Sequence, residues 1–203
     1  MFLSVRPPSE ANLALYARDI AEDGYVGNLT RLWAWRPEVH DAFAKARTIL
    51  MEKSAFSLRE RAVLVCATAA AVGDSYCALA WGTRLAGVAD PATAAAVLQC
   101  KEASELTARE RELVTWARQV VREPNAITTE DVDGLRGVGF TDEDIFNATV
   151  FVAFRLAFST VNDALGARPD ASLAAKAPPA VREAVVYGRS VSEQEAPGRA
   201  MQR

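Results

Sequence analysis

Helix-start signals recur along this chain so regularly that they leave little room for any other element. Ser57-Leu58-Arg59-Glu60 is a capping box: the serine oxygen accepts an exposed backbone N–H, and the glutamate reaches back to the cap. Thr107-Ala108-Arg109-Glu110 repeats it. Asp90-Pro91 places a cap before a proline at the first helical position. Thr128 and Thr141 are each followed by acids in the first turn, where carboxylates oppose the positive end of the helix dipole. Period-two alternation is absent over any useful length. The spacing predicts helices over 10–21, 37–52, 57–72, 75–86, 91–98, 107–122, 129–137, 142–165 and 178–187. The expected fold class is all-α. With 39 alanines in 203 residues, these helices can pack closely on small side chains.

Two of the caps echo each other. Phe56-Ser57-Leu58-Arg59-Glu60-Arg61 and Leu106-Thr107-Ala108-Arg109-Glu110-Arg111 share one pattern, fifty residues apart. Either a good cap was used twice, or a helical unit is duplicated, with two helix pairs related by a pseudo-twofold axis. Helix 142–165 differs from the rest. Ile145, Phe146, Val150, Phe151, Val152, Phe154, Leu156, Phe158 and Val161 cover most of its circumference, which implies burial in the domain centre or in a subunit interface. Arg155 is the one charge in that girdle, and it either snorkels to the surface or meets a ligand.

Scarce residues exclude several chemistries. A single histidine, His40, and three cysteines, Cys66, Cys77 and Cys100, cannot supply a tight multi-ligand zinc site, and no metal or cofactor is implied. Any Ser-His-Asp machinery would have to use His40. Three unevenly spaced cysteines form no disulfide framework, so a reducing, cytoplasmic setting is expected. A net charge of −3 without a Lys/Arg block argues against nucleic acid as the main partner. Met1 to Pro8 lacks the pattern of a signal peptide. The apolar run Ala62–Trp81 is interrupted by Gly73-Asp74 and reads as buried helix, with no membrane role. Residues 1–166 read as one helical domain. Residues 167–203, with Pro169, Pro178, Pro179 and Pro197, read as a strap carrying one short helix, Ala180–Tyr187, and a frayed end from Ser192.

Chemistry is expected where a helix begins beside a buried one. Gly73 ends one helix, Asp74 caps the next, and Cys77 falls in its first turn, where the dipole and free N–H groups favour thiolate. Asp74, one turn earlier, pushes the other way. The plain alternative is Asp74 as a cap and Cys77 as a small buried hydrophobe.

The stretch Phe56–Gly87 resembles the alkylhydroperoxidase D / carboxymuconolactone decarboxylase superfamily. So do Asn28-Leu29-Thr30-Arg31-Leu32, Arg36-Pro37-Glu38, Tyr76-Cys77-Ala78-Leu79-Ala80, Leu106-Thr107-Ala108-Arg109-Glu110, Asp163-Ala164-Leu165-Gly166 and Val185-Val186-Tyr187-Gly188-Arg189. The resemblance covers about residues 12–190 and is nearest to the peroxidase-related group. It implies an all-α AhpD-like fold with an internal two-fold duplication, assembled as a homo-oligomer (dimer, trimer or hexamer). The family's peroxidase signature is a Glu, then a Cys-x-x-Cys twelve residues on, then a His four residues after the second Cys. Those positions hold Ala62, Asp74, Cys77 and Trp81 here. The relay and the resolving thiol are both replaced. The Asn-Arg pair of the family's late helix corresponds to Ser159-Thr160.

Three functions follow. The first is a non-redox, decarboxylase- or lyase-type enzyme on a small molecule, with Asp74 as general acid/base and Tyr76, Trp81 and Arg84 shaping the pocket. The second is a one-cysteine peroxidase-related oxidoreductase using Cys77. The third is a catalytically silent oligomer. Cys66 reads as core, Cys100 as a loop or helix-end residue, and His40 as structural.

Overall fold

The cap residues do what their spacing predicts. In the computed structural model, which describes residues 1–52 and 54–193, Ser57 Oγ accepts the Glu60 amide at 3.1 Å and Glu60 Oε2 accepts the Ser57 amide at 2.8 Å. The Thr107/Glu110 box repeats this at 3.2 and 2.8 Å. Ser9, Thr128 and Thr141 head reciprocal boxes as well, completed by Asn12, Asp131 and Asp144.

The elements are α1 (Glu10–Asp23), α2 (Asn28–Trp33), α3 (Pro37–Glu52), α4 (Leu58–Val72), α5 (Ser75–Val88), α6 (Pro91–Leu98), α7 (Ala108–Arg122), α8 (Thr129–Gly137), α9 (Asp142–Ala164), α10 (Ala171–Lys176) and α11 (Pro179–Ala184), with one 3-10 turn at Pro124–Ala126. No strand occurs among the described residues. The chain is all-α, as its capping pattern implies.

α4 is the centre of the core. Ala62, Val63, Leu64, Cys66 and Ala67 are fully enclosed by α5, α6, α7 and α9. Alanine and valine at these positions let four helices approach one axis, because small side chains shorten the interaxial distance. The echoed caps meet across the α4–α7 contact. Arg59 of the first pairs with Glu110 of the second, and Arg109 of the second pairs with Glu60 of the first. This exchange is a local two-fold relation between the two motifs.

Several sequence expectations change. α2 lies outside every predicted helix. It is six residues long, its N-cap Gly27 makes no side-chain cap bond, and tertiary packing of the buried Leu32 and Trp33 holds it. The strap carries two short helices, α10 and α11, instead of one, and α11 packs on α6 and α5 with Val181 and Ala184 inside the core. Ser192, expected to fray, is tied down by its amide on the Pro169 carbonyl at 2.8 Å and by Asn28 Nδ2 on its hydroxyl at 3.3 Å. Residues 194–203, the rest of the expected frayed end, lie outside the described residues.

α9 buries Ile145, Phe151, Val152 and Phe158, yet Phe146 is 64% exposed, so all-round burial is not reached within a single chain. Length and composition would let α9 cross a membrane; half of its most apolar window is buried inside the fold.

Candidate active site

The site is built at the junction of α4 and α5. Gly73 adopts φ +82°, a left-handed conformation that glycine enters without steric cost, and so turns the chain out of α4. Asp74 then caps α5. Its Oδ1 accepts the Cys77 amide at 2.9 Å, and its Oδ2 accepts the Ser159 hydroxyl of α9 at 2.5 Å. The carboxylate is fully buried with both oxygens engaged. Asp74 is therefore a structural cap as well as a candidate acid or base.

Cys77 follows in the first turn, 3% exposed. Its sulfur accepts from Nη2 of Arg155 at 3.1 Å. Burial pushes the thiol up to about 12; the Arg155 cation opposes that rise and the Asp74 carboxylate beside it adds to it. Burial thus favours the neutral thiol, against the pull of the helix terminus and of Arg155. Arg155 does not snorkel. It is 6% exposed, stretched between Trp81 and Phe158 with its guanidinium carbon 5.5 and 5.7 Å from the two ring centroids.

A second guanidinium faces the same ring: Arg47 of α3 lies 5.1 Å from the Phe158 centroid. Burial and the neighbouring Arg155 charge push Arg47 down to about 10. Trp33 stacks on Phe158 at 4.9 Å and 7°, fixed by its indole N–H on Asn162 Oδ1 at 2.9 Å. His40 borders this aromatic cluster, 5.9 Å from Trp33, and burial pushes its imidazole below the usual range.

The remaining expected site residues divide. Trp81 forms a wall between two cations, Arg155 and Arg84, the latter 4.7 Å above its ring. Arg84 itself is exposed. Tyr76 turns to the strap: its hydroxyl donates to Asp170 and lies against the turn at Gly27. It locks the strap to α5 instead of lining the thiol. Cys66 is fully buried, and Cys100 is exposed with φ +56°, in a cleft of about 720 Å³ lined also by Lys101, Arg111 and Arg118. All three cysteines are free thiols.

The strap closes the site from one side. Ser75 Oγ donates to the Arg189 carbonyl at 2.7 Å, and the Arg189 guanidinium returns to the Asp163 carbonyl at 2.6 Å. Gly188 at φ +71° passes so close to the Gly73 carbonyl and the Ser75 amide that a Cβ there would collide with backbone. Asp163, inside this closure, is raised to about 6 by burial and by the charge of Asp74. Among the described residues, no three of His, Cys, Asp and Glu converge in a metal-holding arrangement.

Sequence reasoning missed Arg47 as a site residue and cited Ser159 only as a departure from the family pattern. The signal was present as register. His40, Phe43 and Arg47 share one face of α3, and Arg155, Phe158, Ser159 and Asn162 share one face of α9. Which faces would meet depends on the tertiary packing.

No family model matches the chain, and no curated protein sequence matches it. Solved structures do. An AhpD-core, uncharacterized peroxidase-related protein from Ralstonia eutropha JMP134 superposes with a TM-score of 0.75 at 25% identity, over 85% of this chain and 93% of that one. An uncharacterized peroxidase-related protein from Silicibacter sp. TM1040 gives 0.74 at 23%, over 85% and 91%. The debrominase Bmp8, as a cysteine-to-alanine variant in complex with 2,3,4-tribromopyrrole, gives 0.69 at 14%, over 87% and 96%. The chain shares the all-helical AhpD-like fold of these structures.

Proposed function

We propose that this AhpD-like protein is a small-molecule enzyme of acid–base type, decarboxylase- or lyase-like, in which Asp74 and Cys77 exchange a proton. The observation that carries this reading is the placement of a buried carboxylate and a buried thiol on one helix start: Ser159 Oγ donates to Asp74 Oδ2, Asp74 Oδ1 accepts the Cys77 backbone amide, and Cys77 Sγ accepts from Arg155. A neutral thiol beside a carboxylate is a proton donor. When it gives its proton to a carbanionic carbon of the substrate, the thiolate left behind is balanced by Arg155 at 3.1 Å. One proton taken up from solvent water then restores the thiol, relayed to sulfur by Asp74, which ends as the carboxylate it began as. No second thiol stands at position 74, so a Cys-x-x-Cys disulfide cycle has no place here. That one protein with this fold is a debrominase supports a non-peroxidase chemistry on the same scaffold.

The test needs no substrate. Alkylation of Cys77 by iodoacetamide, followed by mass spectrometry across pH, reports the thiol's ionisation. Asp74→Asn removes the adjacent negative charge and should shift the profile to lower pH, while Ser159→Ala should shift it less. An unchanged profile in Asp74→Asn would show that the carboxylate and the thiol are uncoupled, and the reading would fall.

A second reading, a one-cysteine peroxidase-related enzyme, is favoured by the Arg155–Sγ contact, which stabilises thiolate. There the thiolate takes an oxygen atom from a hydroperoxide and, with one proton, gives a sulfenic acid and an alcohol; one external thiol condenses with it to a mixed disulfide and water, and a second thiol releases the Cys77 thiol. Dimedone labelling of Cys77 after cumene hydroperoxide, absent in Cys77→Ser, is required by it. Self-association is part of the proposal, supported by the exposed Phe146 and Val161 on α9. Light scattering should give a dimer, trimer or hexamer.

A further inference from the structure

We infer that the cleft between the α6–α7 loop and α7 is a receptor for a small anionic peptide disulfide, one half of which Cys100 captures as a mixed disulfide. The inference lies outside the proposed acid–base site, uses a different thiol, and stands or falls separately from that reading.

The cleft is about 720 Å³, inside the roughly 300–1,000 Å³ of small-molecule sites. Cys100, Lys101 and Glu102 line it from the end of α6, and Arg111 and Arg118 line it from one face of α7. None of its three cations is in an ion pair among the described residues. Within Arg118, Nε and Nη2 are enclosed and have no acceptor. These two N–H groups run parallel along one edge of the guanidinium, the geometry that holds both oxygens of a carboxylate. The cavity thus has cations in excess and an acceptor missing at a definite place. An enclosed donor left unmet is costly, and a ligand carboxylate removes that cost.

The thiol enters this wall through its backbone. At the end of α6 the Lys101 amide donates to the Ala96 carbonyl at 2.9 Å, and the Cys100 amide to the Val97 carbonyl at 3.2 Å. Cys100 lies in this C-cap at φ +56°, the left-handed position that glycine usually fills. Here the position carries an exposed, free thiol.

Such a cleft selects a reagent that brings sulfur and carboxylates together. Three cations against one acid, Glu102, complement a half-disulfide with two carboxylates and one ammonium. An inorganic anion would leave Glu102 without a counterpart and the apolar floor of Leu106 and Val114 uncovered. In the exchange, the Cys100 thiolate attacks one sulfur of the disulfide, and the new S–S bond forms as the old one breaks. The departing half leaves as a thiolate and takes up the proton that Cys100 gave away. Cys100 is oxidised, the departing half is reduced, and no other oxidant is needed.

Oxidised glutathione is the probe, since each half carries two carboxylates, one ammonium and the sulfur. With the full chain at pH 7.5 and low salt, peptide mass spectrometry should find a glutathionyl group on Cys100 and none on the buried Cys66 and Cys77. Each rate is divided by that of the same reagent with free cysteine. So normalised, glutathione disulfide should outpace the neutral bis(2-hydroxyethyl) disulfide by roughly tenfold or more, as one charge-assisted contact predicts. The advantage should shrink at about 0.5 M salt. Lys101→Gln and Arg118→Gln should each lower it several-fold; the exposed Lys101 keeps a readout if Arg118→Gln does not fold. Cys100→Gly suits the left-handed turn, and should fold and take up no group. S-methylglutathione, which cannot exchange, should slow iodoacetamide at Cys100 and leave Cys77 unaffected. Equal normalised rates for the two disulfides, or an advantage that persists in both charge variants, would overturn the receptor. So would a group found on Cys77 in place of Cys100. Inorganic phosphate protecting Cys100 as well as S-methylglutathione does would overturn the peptide assignment.

Discussion

Arg59 and Glu110 form an ion pair across the α4–α7 contact, Nε to Oε1 at 2.6 Å, and the arrangement is mirrored by Arg109 and Glu60 at 2.9 Å. Each glutamate therefore has two duties: it closes its own capping box and receives the arginine of the other motif. Glu110 is 3% exposed, so its charge is satisfied by protein groups rather than by water.

Removing one arginine leaves a buried carboxylate short of a partner. Arg59→Ala should cost about 1–3 kcal/mol in urea unfolding. Each arginine also donates to one backbone carbonyl, Arg59 to Glu105 and Arg109 to Val138, but Arg109→Ala should cost more, because Arg109 lies 3.8 Å over the Phe140 ring. A double-mutant cycle on Arg59 and Glu110 should show clear coupling; additive effects would mean that the pair is solvated and inert.

At Gly82, α5 lies directly against α6 and α11. A Cβ there would stand 2.7 Å from Leu98 Cδ1 and 2.8 Å from Val181 Cγ1. Gly82→Ala should destabilise by about 1–3 kcal/mol through overpacking, despite alanine's better helix propensity. Adding Val181→Ala should recover part of the loss. A double variant whose loss equals the sum of the two single losses would refute the steric account.

Asp163 gives the protein a pH dependence of definite sign. Its folded value is raised to about 6 from an ordinary 3.8, so the native state holds this proton more tightly than the unfolded chain does. The contribution favours folding at low pH and is lost as pH rises from about 4 through about 6. Asp163→Asn should flatten this part of the stability–pH curve and be more stable than the parent, relative to it, above pH 6. Equal slopes between pH 4 and 6 would contradict the assignment.

Ser159 is the second partner of Asp74. Ser159→Ala leaves Oδ2 buried and unmet, at a cost of about 1–3 kcal/mol in thermal or chemical unfolding. Asp74→Asn keeps the Oδ1 cap on the Cys77 amide and should cost less than Asp74→Ala, which loses the cap as well.

Much of this was legible in the chain itself. Capping boxes are local: a side chain bonds a backbone amide three residues away, so Ser57, Thr107, Thr128 and Thr141 announce their helices without reference to anything distant. α2 and α10 are six-residue helices without a side-chain cap bond, and short helices of that kind form only because the rest of the molecule packs on them. The same division applies to the site. Asp74 and Cys77 lie on one helix start, and their proximity follows from three residues of spacing.

The sequence alone determined an all-helical chain, two matched caps, and an Asp-x-x-Cys at a helix start. It could not decide what faces that cysteine. Arg155 is 78 positions away and carries no local mark of its partner. Arg47 comes from a third helix altogether. Only the angle at which α3 and α9 cross the α4–α5 junction sets two guanidiniums on one phenylalanine ring. That angle is a sum of many weak packing contacts, none of them between residues close in the chain.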